Sequence, residues 1–465
     1  MKKQNNLGRD NVGTLVWKIA VPSMLAQFVS VLYSVVDRMY IGNIPEIGSV
    51  ALAGVGVCGP IVTMISSFAS LIGVGGSPLM SIRMGEGKET EAKQILANCF
   101  MMLCVLSVIL TVAVMAVREP MLYLFGASSQ TYPYADAYFS TYLIGTIFAL
   151  LSTGMNQFII CQGFAKTGMF SVMIGAVFNI ILDPVFIFVF NMGVRGAAIA
   201  TVLSQIASCI FVLGFLFSKT PPIRISFGGY KFWIMKRVLT LGFTPFIIIA
   251  IDNVMIIAMN AVLQHYGGPV QGDILITCAT IVQSFMLLVT MPLGGISGGT
   301  QTILAYNYGA GQTLRVMRAQ KYIFGFCLGY TALMMVAAWL GGPLFVRLFT
   351  GDAGLAGEAV WAIRVSTLAL LPLGIQYEIV DGFTAIAKVG LSLPLSFFRK
   401  LVYFIALFLI PVFFEAKMIF FSETISDIIG PLVSIIVYRF VIKKIMQQRI
   451  DEVDAVRKLE GGLRR

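Results

Sequence analysis

The chain has 465 residues, of which 58% are hydrophobic and only 12% charged, with a formal net charge of +11 at pH 7. A soluble globular protein carries about 25% charged residues, so an ordinary soluble domain is excluded. The apolar residues come in blocks of about 20, the length that crosses a bilayer as a helix. Helices are expected because they satisfy every backbone polar group inside lipid.

Twelve such blocks follow one another, at 15–42, 49–77, 94–117, 135–161, 169–191, 196–218, 238–264, 273–305, 322–346, 365–387, 392–413 and 418–442. The first is preceded by a polar stretch, carries Asp37 and lacks a small-residue cleavage site, so it reads as a mature helix and not as a signal peptide. Between the sixth and seventh blocks lies KTPPIRISFGGYKFWIMKR (219–237), whose prolines, glycines and basic residues fit a cytoplasmic linker with room for a short interfacial helix. The expected organisation is a six-helix lobe at 1–218, this linker, a second six-helix lobe at 238–442 and a cytoplasmic tail at 443–465.

The positive charge has an address. One set of loops holds only Arg118, Arg195, Arg347 and Lys417, and Arg38, Arg364, Arg399 and Lys400 fall within spans. The rest of the 33 Lys and Arg lie on the side shared by both termini, among them Lys2, Lys3, Lys219, Arg315, Lys443 and Arg465. This asymmetry predicts a multi-pass protein of the cell membrane with both termini in the cytoplasm. It reports topology and gives no basic soluble domain for nucleic acid. All seven cysteines sit in apolar segments without a C-x-x-C pair, and His265 is the only histidine, which leaves little for thiol, metal or imidazole chemistry. No G-x-x-x-x-G-K-[ST] motif is present, so direct ATP hydrolysis is not expected.

The two halves repeat. Pro22 is answered by Pro245, and Gly75-Gly76-Ser77 by Gly298-Gly299-Thr300, each 223 residues later. Gly85-Glu86-Gly87 recurs as Gly309-Ala310-Gly311, 224 residues later. Gly163 and Phe164 are matched to Gly382 and Phe383, and Lys166 and Gly168 to Lys388 and Gly390. Six crossings per half give both halves one orientation, hence a parallel repeat with an axis along the membrane normal. The paired glycines read as close helix packing.

An aspartate at the centre of a membrane helix costs about 2.5–3.5 kcal/mol on insertion scales, so each one asks for a reason. Asp37 is either an interface carboxylate paired with Arg38 or a cation-responsive group. Asn179 and Asp183 are four apart, on one face of the fifth helix, and Pro184 loosens the backbone ladder beside them. They read as hard oxygen ligands for a small cation or proton, or alternatively as a helix-end cap or inter-helix clamp. Asn156, Gln157 and Thr201 are positioned to join them. The second half carries Asp252, Asn253, Asn260, Gln283, Gln376, Glu378 and Asp381, and Arg399 and Lys400 are expected to pair with Glu378 or Asp381.

Several blocks in order resemble the multidrug and toxic compound extrusion (MATE) family, in a prokaryotic, MepA-like branch. They are DRMYIG (37–42), GVGGSPLMSIRMGEGKETEA (73–92), NIILDPVFIF (179–188), RGAAIATVLS (195–204), AYNYGAGQTLRVMRA (305–319) and LSLPLSFFRK (391–400). The resemblance implies an all-α integral membrane fold of twelve transmembrane helices in two six-helix lobes related by a parallel pseudo-two-fold repeat. It implies a non-enzymatic exporter of cationic or amphipathic drugs by alternating access, without a cofactor and driven by H+ or Na+ as coupling ion. A monomer in the lipid bilayer is expected. The first-lobe cation-coupling site of the family is matched by Asp37, Asn156, Asn179, Asp183 and Thr201, with Na+ held at Asp37, Asn179, Asp183 and Thr201. A second-lobe polar site would draw on Asp252, Gln283, Glu378, Asp381 and Arg399, where the family motifs do not match cleanly. Three rivals remain: a lipid-linked saccharide flippase of the same superfamily, which a basic cavity would favour; a membrane-embedded lipid enzyme, against which the missing His/Asp/Glu cluster counts; and a receptor or channel, which uphill substrate accumulation in vesicles would exclude.

Overall fold

The computed structural model describes residues 5–349 and 353–462; Lys2, Lys3 and Arg465, assigned above to the cytoplasmic side, lie outside them. Among the described residues, ten helices are long and apolar enough to cross a membrane, and two bent helix pairs, each counted as one span, raise the number to twelve. In order, the spans are Val12–Gly42, Val50–Gly85, Glu89–Ala116, Tyr132–Ile144 with Thr146–Ile160, Ala165–Val189, Gly193–Phe217, Phe232–Gly268, Ile274–Gly309, Thr313–Arg347, Ala353–Ser366 with Leu370–Ala385, Val389–Phe413 and Ala416–Ala455. The fourth and tenth spans are the broken ones, bent by 57° and 48°. Their breaks fall at equivalent positions of the two halves, a repeat landmark that no residue identity announces.

A second landmark is a turn shared by four repeat-related helix ends. At Gly87, Gly163, Gly311 and Ala387 the backbone turns left-handed at a helix end, with φ of 75°, 88°, 72° and 59°. In each case the next residue's N–H reaches back five residues, Lys88 to Arg83, Phe164 to Ile159, Gln312 to Asn307 and Lys388 to Phe383, at 2.8–3.3 Å. This is the hydrogen-bond signature of a Schellman cap, which a glycine normally occupies. The turn corrects the repeat alignment: Gly163 is equivalent to Ala387, not to Gly382, and Phe164, not Lys166, answers Lys388.

Two compact units emerge. One contains Val21–Ala250 together with Asn5 and Asn6, and the other contains Leu7–Ala20 and Ile251 onward. The division expected at 1–218 and 238–442 is thus modified by an exchange of helix ends. The start of the first span belongs to the second unit, and the start of the seventh span belongs to the first. Pro22 sits one residue past the first changeover. Within the first unit, Gly75 and Gly242 face each other's helix so closely that a methyl group on either would overlap a backbone carbonyl, of Val238 and Leu71 respectively. That is the predicted packing role; Gly298, by contrast, has open space where its side chain would be.

The linker differs from expectation. Residues 219–231 form bends and extended chain without a separate interfacial helix, and the seventh span already begins at Phe232. Two buried amides hold this strand: Gln162 Oε1 accepts from Ile223 N at 2.9 Å, and Asn98 Oδ1 from Lys231 N at 2.9 Å. Nor is the tail separate, because the last helix runs from Phe421 to Gly462. Arg449 on it donates to the carbonyls of Tyr308 and Gly309 at 2.9 and 2.8 Å, a cation capping the carbonyl end of the eighth span.

Candidate functional site

In the first unit, the fifth span brings Asn179 and Asp183 to one face, 1% and 0% exposed. Pro184 lacks the N–H that would bond one turn back, and Val185–Val189 continues as a π-helical turn, a distortion common at functional sites. Asn179 Nδ2 donates to Asp183 Oδ1 at 3.1 Å and to Thr201 Oγ1 of the sixth span at 3.4 Å. Asp37 of the first span neighbours Asp183. No ion pair joins Asp37 to Arg38 among the described residues and Arg38 is exposed, although its charge lies near enough to act on Asp37.

Oxygen acceptors accumulate here, and several have no donor. Asp37 Oδ1, Asn179 Oδ1, Asp183 Oδ2 and Gln205 Oε1 are buried and have no hydrogen-bond partner among the described residues. Because an unsatisfied buried acceptor costs about 1–3 kcal/mol, a proton or a cation placed among these oxygens would relieve that cost. No group of three His, Cys, Asp or Glu that could hold a metal ion occurs among the described residues; the cluster offers two carboxylates with amide and hydroxyl oxygens. That mixture suits a hard, weakly held cation. Asn156 does not join it directly. Its Oδ1 accepts from Ser171 Oγ at 3.1 Å, two turns along the fifth span from Asn179.

The sequence reading missed the tyrosines. Tyr33 stands one turn from Asp37, and Tyr138 and Tyr142, 8% and 3% exposed, stand one turn apart on the fourth span. The Tyr138 hydroxyl neighbours Thr201, and Tyr142 neighbours Ser66 and Gln205. Their i, i+4 spacing was the available signal.

In the second unit, the expected single polar site resolves into separate parts. Arg399 pairs with Asp427 at 2.7 Å, and Lys400 pairs with Asp252. Both bonds replace the expected pairing with Glu378 or Asp381. Asp427 is 1% exposed and Lys400 6%, whereas the Asp252 side chain is 45% exposed. Asp381 instead accepts from Ser297 of the eighth span. Gln376 donates to the Leu395 carbonyl at 3.3 Å. Gln283 lies 14 residues, about 21 Å of helix, from Ser297 and takes no part in these bonds.

The MatE family model matches residues 22–185 and 247–406, one block in each half and together well over half the chain. The chain belongs to the MatE family. It is therefore a membrane transporter and not an enzyme. This MatE protein is 24% identical over 445 residues to a multidrug export protein MepA of Staphylococcus saprophyticus, with 95% of each chain covered. Among solved structures it is similar to a MATE in complex with MaL6, with a TM-score of 0.89 at 21% identity, covering 96% of this chain and 100% of the other. It is also similar to an outward-facing multidrug resistance MATE family transporter of the MOP superfamily, with a TM-score of 0.87, 21% identity and 96% and 100% coverage. These likenesses establish the fold and its twelve-helix, two-lobe family architecture.

Proposed function

We propose that this MatE protein exports cationic or amphipathic organic compounds from the cytoplasm by alternating access, in exchange for entry of a proton or a sodium ion. The coupling site is the first-unit cluster of Asp37, Asn179, Asp183 and Thr201. One observation carries the reading: two adjacent membrane carboxylates that form no ion pair among the described residues, with several buried acceptor oxygens around them that lack a partner. A coupling cation and a cationic compound compete for that negative charge, and exchange needs only that each binds one of two conformations better than the other. The export activity named for the Staphylococcus relative points the same way.

A saccharide flippase would need basic groups for its phosphate. Arg399 and Lys400, two basic residues inside the spans of the second unit, are already bound to Asp427 and Asp252. The reading is tested in proteoliposomes loaded with a lipophilic fluorescent cation, with proton and sodium gradients imposed separately. Export driven by either gradient supports it, and export indifferent to both overturns it.

A further inference from the structure

The segment that joins the two halves of the chain carries charge that no protein group answers. Between Lys219 and Arg237 there are five basic residues and no acidic one. Lys219, Arg224, Lys231, Lys236 and Arg237 are all exposed, and none forms an ion pair among the described residues. Large rings stand between these cations: Phe227 is 73% exposed, Tyr230 46%, Phe232 79% and Trp233 53%. Against water, so many exposed rings are costly. At a bilayer boundary they are at home, with ring bodies toward the acyl chains and the polar edges of Tyr and Trp, like Lys and Arg heads, at headgroup level.

The backbone under this surface is anchored. Ile223 and Ile225 are buried with Arg224 exposed between them, the alternation of an extended segment laid on a core. Ile225 N donates to the Leu216 carbonyl at 3.2 Å. Farther on, the buried Asn98 of the third span grips the backbone on both sides of Tyr230. Its Nδ2 donates to the Gly229 carbonyl at 3.3 Å, and its Oδ1 accepts from Lys231 N at 2.9 Å. Gly228 and Gly229, both left-handed with φ of 89° and 72°, turn the chain between the two anchored stretches. The chain that carries the cations is therefore already ordered, which lowers the cost of binding.

The whole segment belongs to the first unit and lies on the side that the charge asymmetry assigns to the cytoplasm. What complements unpaired cations beside exposed rings at a bilayer edge is an anion joined to acyl chains. We propose that residues 219–237 form a docking surface for anionic phospholipids. Arg224, Lys231 and Lys236 face the phosphate, and Phe227, Phe232 and Trp233 meet the acyl chains. The lipid is neither the exported compound nor the coupling ion, so the inference stands apart from the antiport reading.

The test is native mass spectrometry of the full-length protein in detergent, titrated with phosphatidylglycerol or with phosphatidylcholine of the same chains. Wild type should bind phosphatidylglycerol more tightly. Arg224→Gln/Lys231→Gln/Lys236→Gln should weaken that binding at least about tenfold, since each Lys or Arg near an anionic surface contributes a factor of about five, and should leave phosphatidylcholine binding unchanged. Two other triple variants should bind like wild type: Arg224→Lys/Lys231→Arg/Lys236→Arg, which keeps the charge, and Arg318→Gln/Lys321→Gln/Lys443→Gln, which removes three exposed cations from the second unit. Equal wild-type affinity for the two lipids, an unchanged linker variant, or an equal loss in both neutralised variants overturns the proposal. Displacement of the lipid by soluble glycerol phosphate would assign the cations to free phosphate esters and overturn it too. If the linker variant does not fold, photoactivatable phosphatidylglycerol in liposomes bearing wild type decides: adducts within 219–237 support the surface, and adducts confined to other segments overturn it.

Discussion

The Asp37–Asp183 cluster of the first unit and the Asp252–Lys400, Arg399–Asp427 cluster of the second are built on the same six-span plan but handle charge in opposite ways. In the second, each of two basic side chains on the eleventh span closes on a carboxylate from another helix. In the first, two carboxylates meet with no basic group between them and with spare acceptor oxygens around them. A closed charge cluster ties helices together, whereas an open one waits for a mobile cation. The lesson is that duplicated architecture does not duplicate chemistry, because a handful of side chains decides which half can bind and release an ion.

Substitutions can break that comparison. The largest effect is expected in the closed cluster. Arg399→Met leaves Asp427, 1% exposed, without its cation and should lower stability by about 3–5 kcal/mol, read as a fall in the melting temperature of the detergent-purified protein. Adding Asp427→Asn to that variant should recover much of the loss. If Arg399→Met melts like wild type, the pair is not structural.

Next comes the open cluster, where the effect should appear in transport and not in folding. Asp183→Asn should reduce gradient-driven export at least about tenfold, the consequence of losing about 1.4 kcal/mol of coupling free energy, while melting stays near wild type. Full uphill export by Asp183→Asn at normal expression would remove that residue from the mechanism.

A smaller change sharpens the contrast by opening the closed cluster. Lys400→Met frees Asp252, whose side chain is 45% exposed, and should make cation binding to the second unit detectable as a few-fold tightening, measured by isothermal titration with a lipophilic phosphonium cation. No change in affinity would mean that Asp252 is not accessible to a guest. The smallest effect concerns the shared frame. Ala387→Gly puts at the fourth turn the residue that the other three already use and should stabilise the protein by about 1 kcal/mol, read by thermal melting; destabilisation would show that Ala387 packs for a reason the backbone does not reveal.

Much of the frame was legible in the sequence because lipid leaves few options: blocks of apolar residues become helices, and breaks between them become turns. The open cluster was partly legible, since Asn179 and Asp183 are neighbours on one helix and their spacing alone puts them together. Relations between helices were not. Arg399 and Lys400 precede no marker that says which way each side chain points around the bundle, so Glu378 and Asp381 looked as suitable as Asp427 and Asp252. Asn156 was placed at the cluster because its span faces it, but its position along that span sets it opposite Ser171 instead. The tenth span was drawn as 365–387 because the polar residues of 353–364 hid its first half, and the 48° bend at its middle has no single residue to announce it. The exchange of helix ends between the units is likewise invisible to a hydropathy pattern, which counts crossings but not partners.

The central claim is that the coupling cation binds in the first unit at Asp37 and Asp183. Its most direct test is gradient-driven movement of a fluorescent cation in proteoliposomes bearing the Asp37→Asn/Asp183→Asn double variant, beside Asp252→Asn as the matched control from the other unit. The account predicts that the double variant, folded and inserted, no longer responds to either ion gradient, while Asp252→Asn retains a response. A double variant that still drives the dye uphill would contradict it.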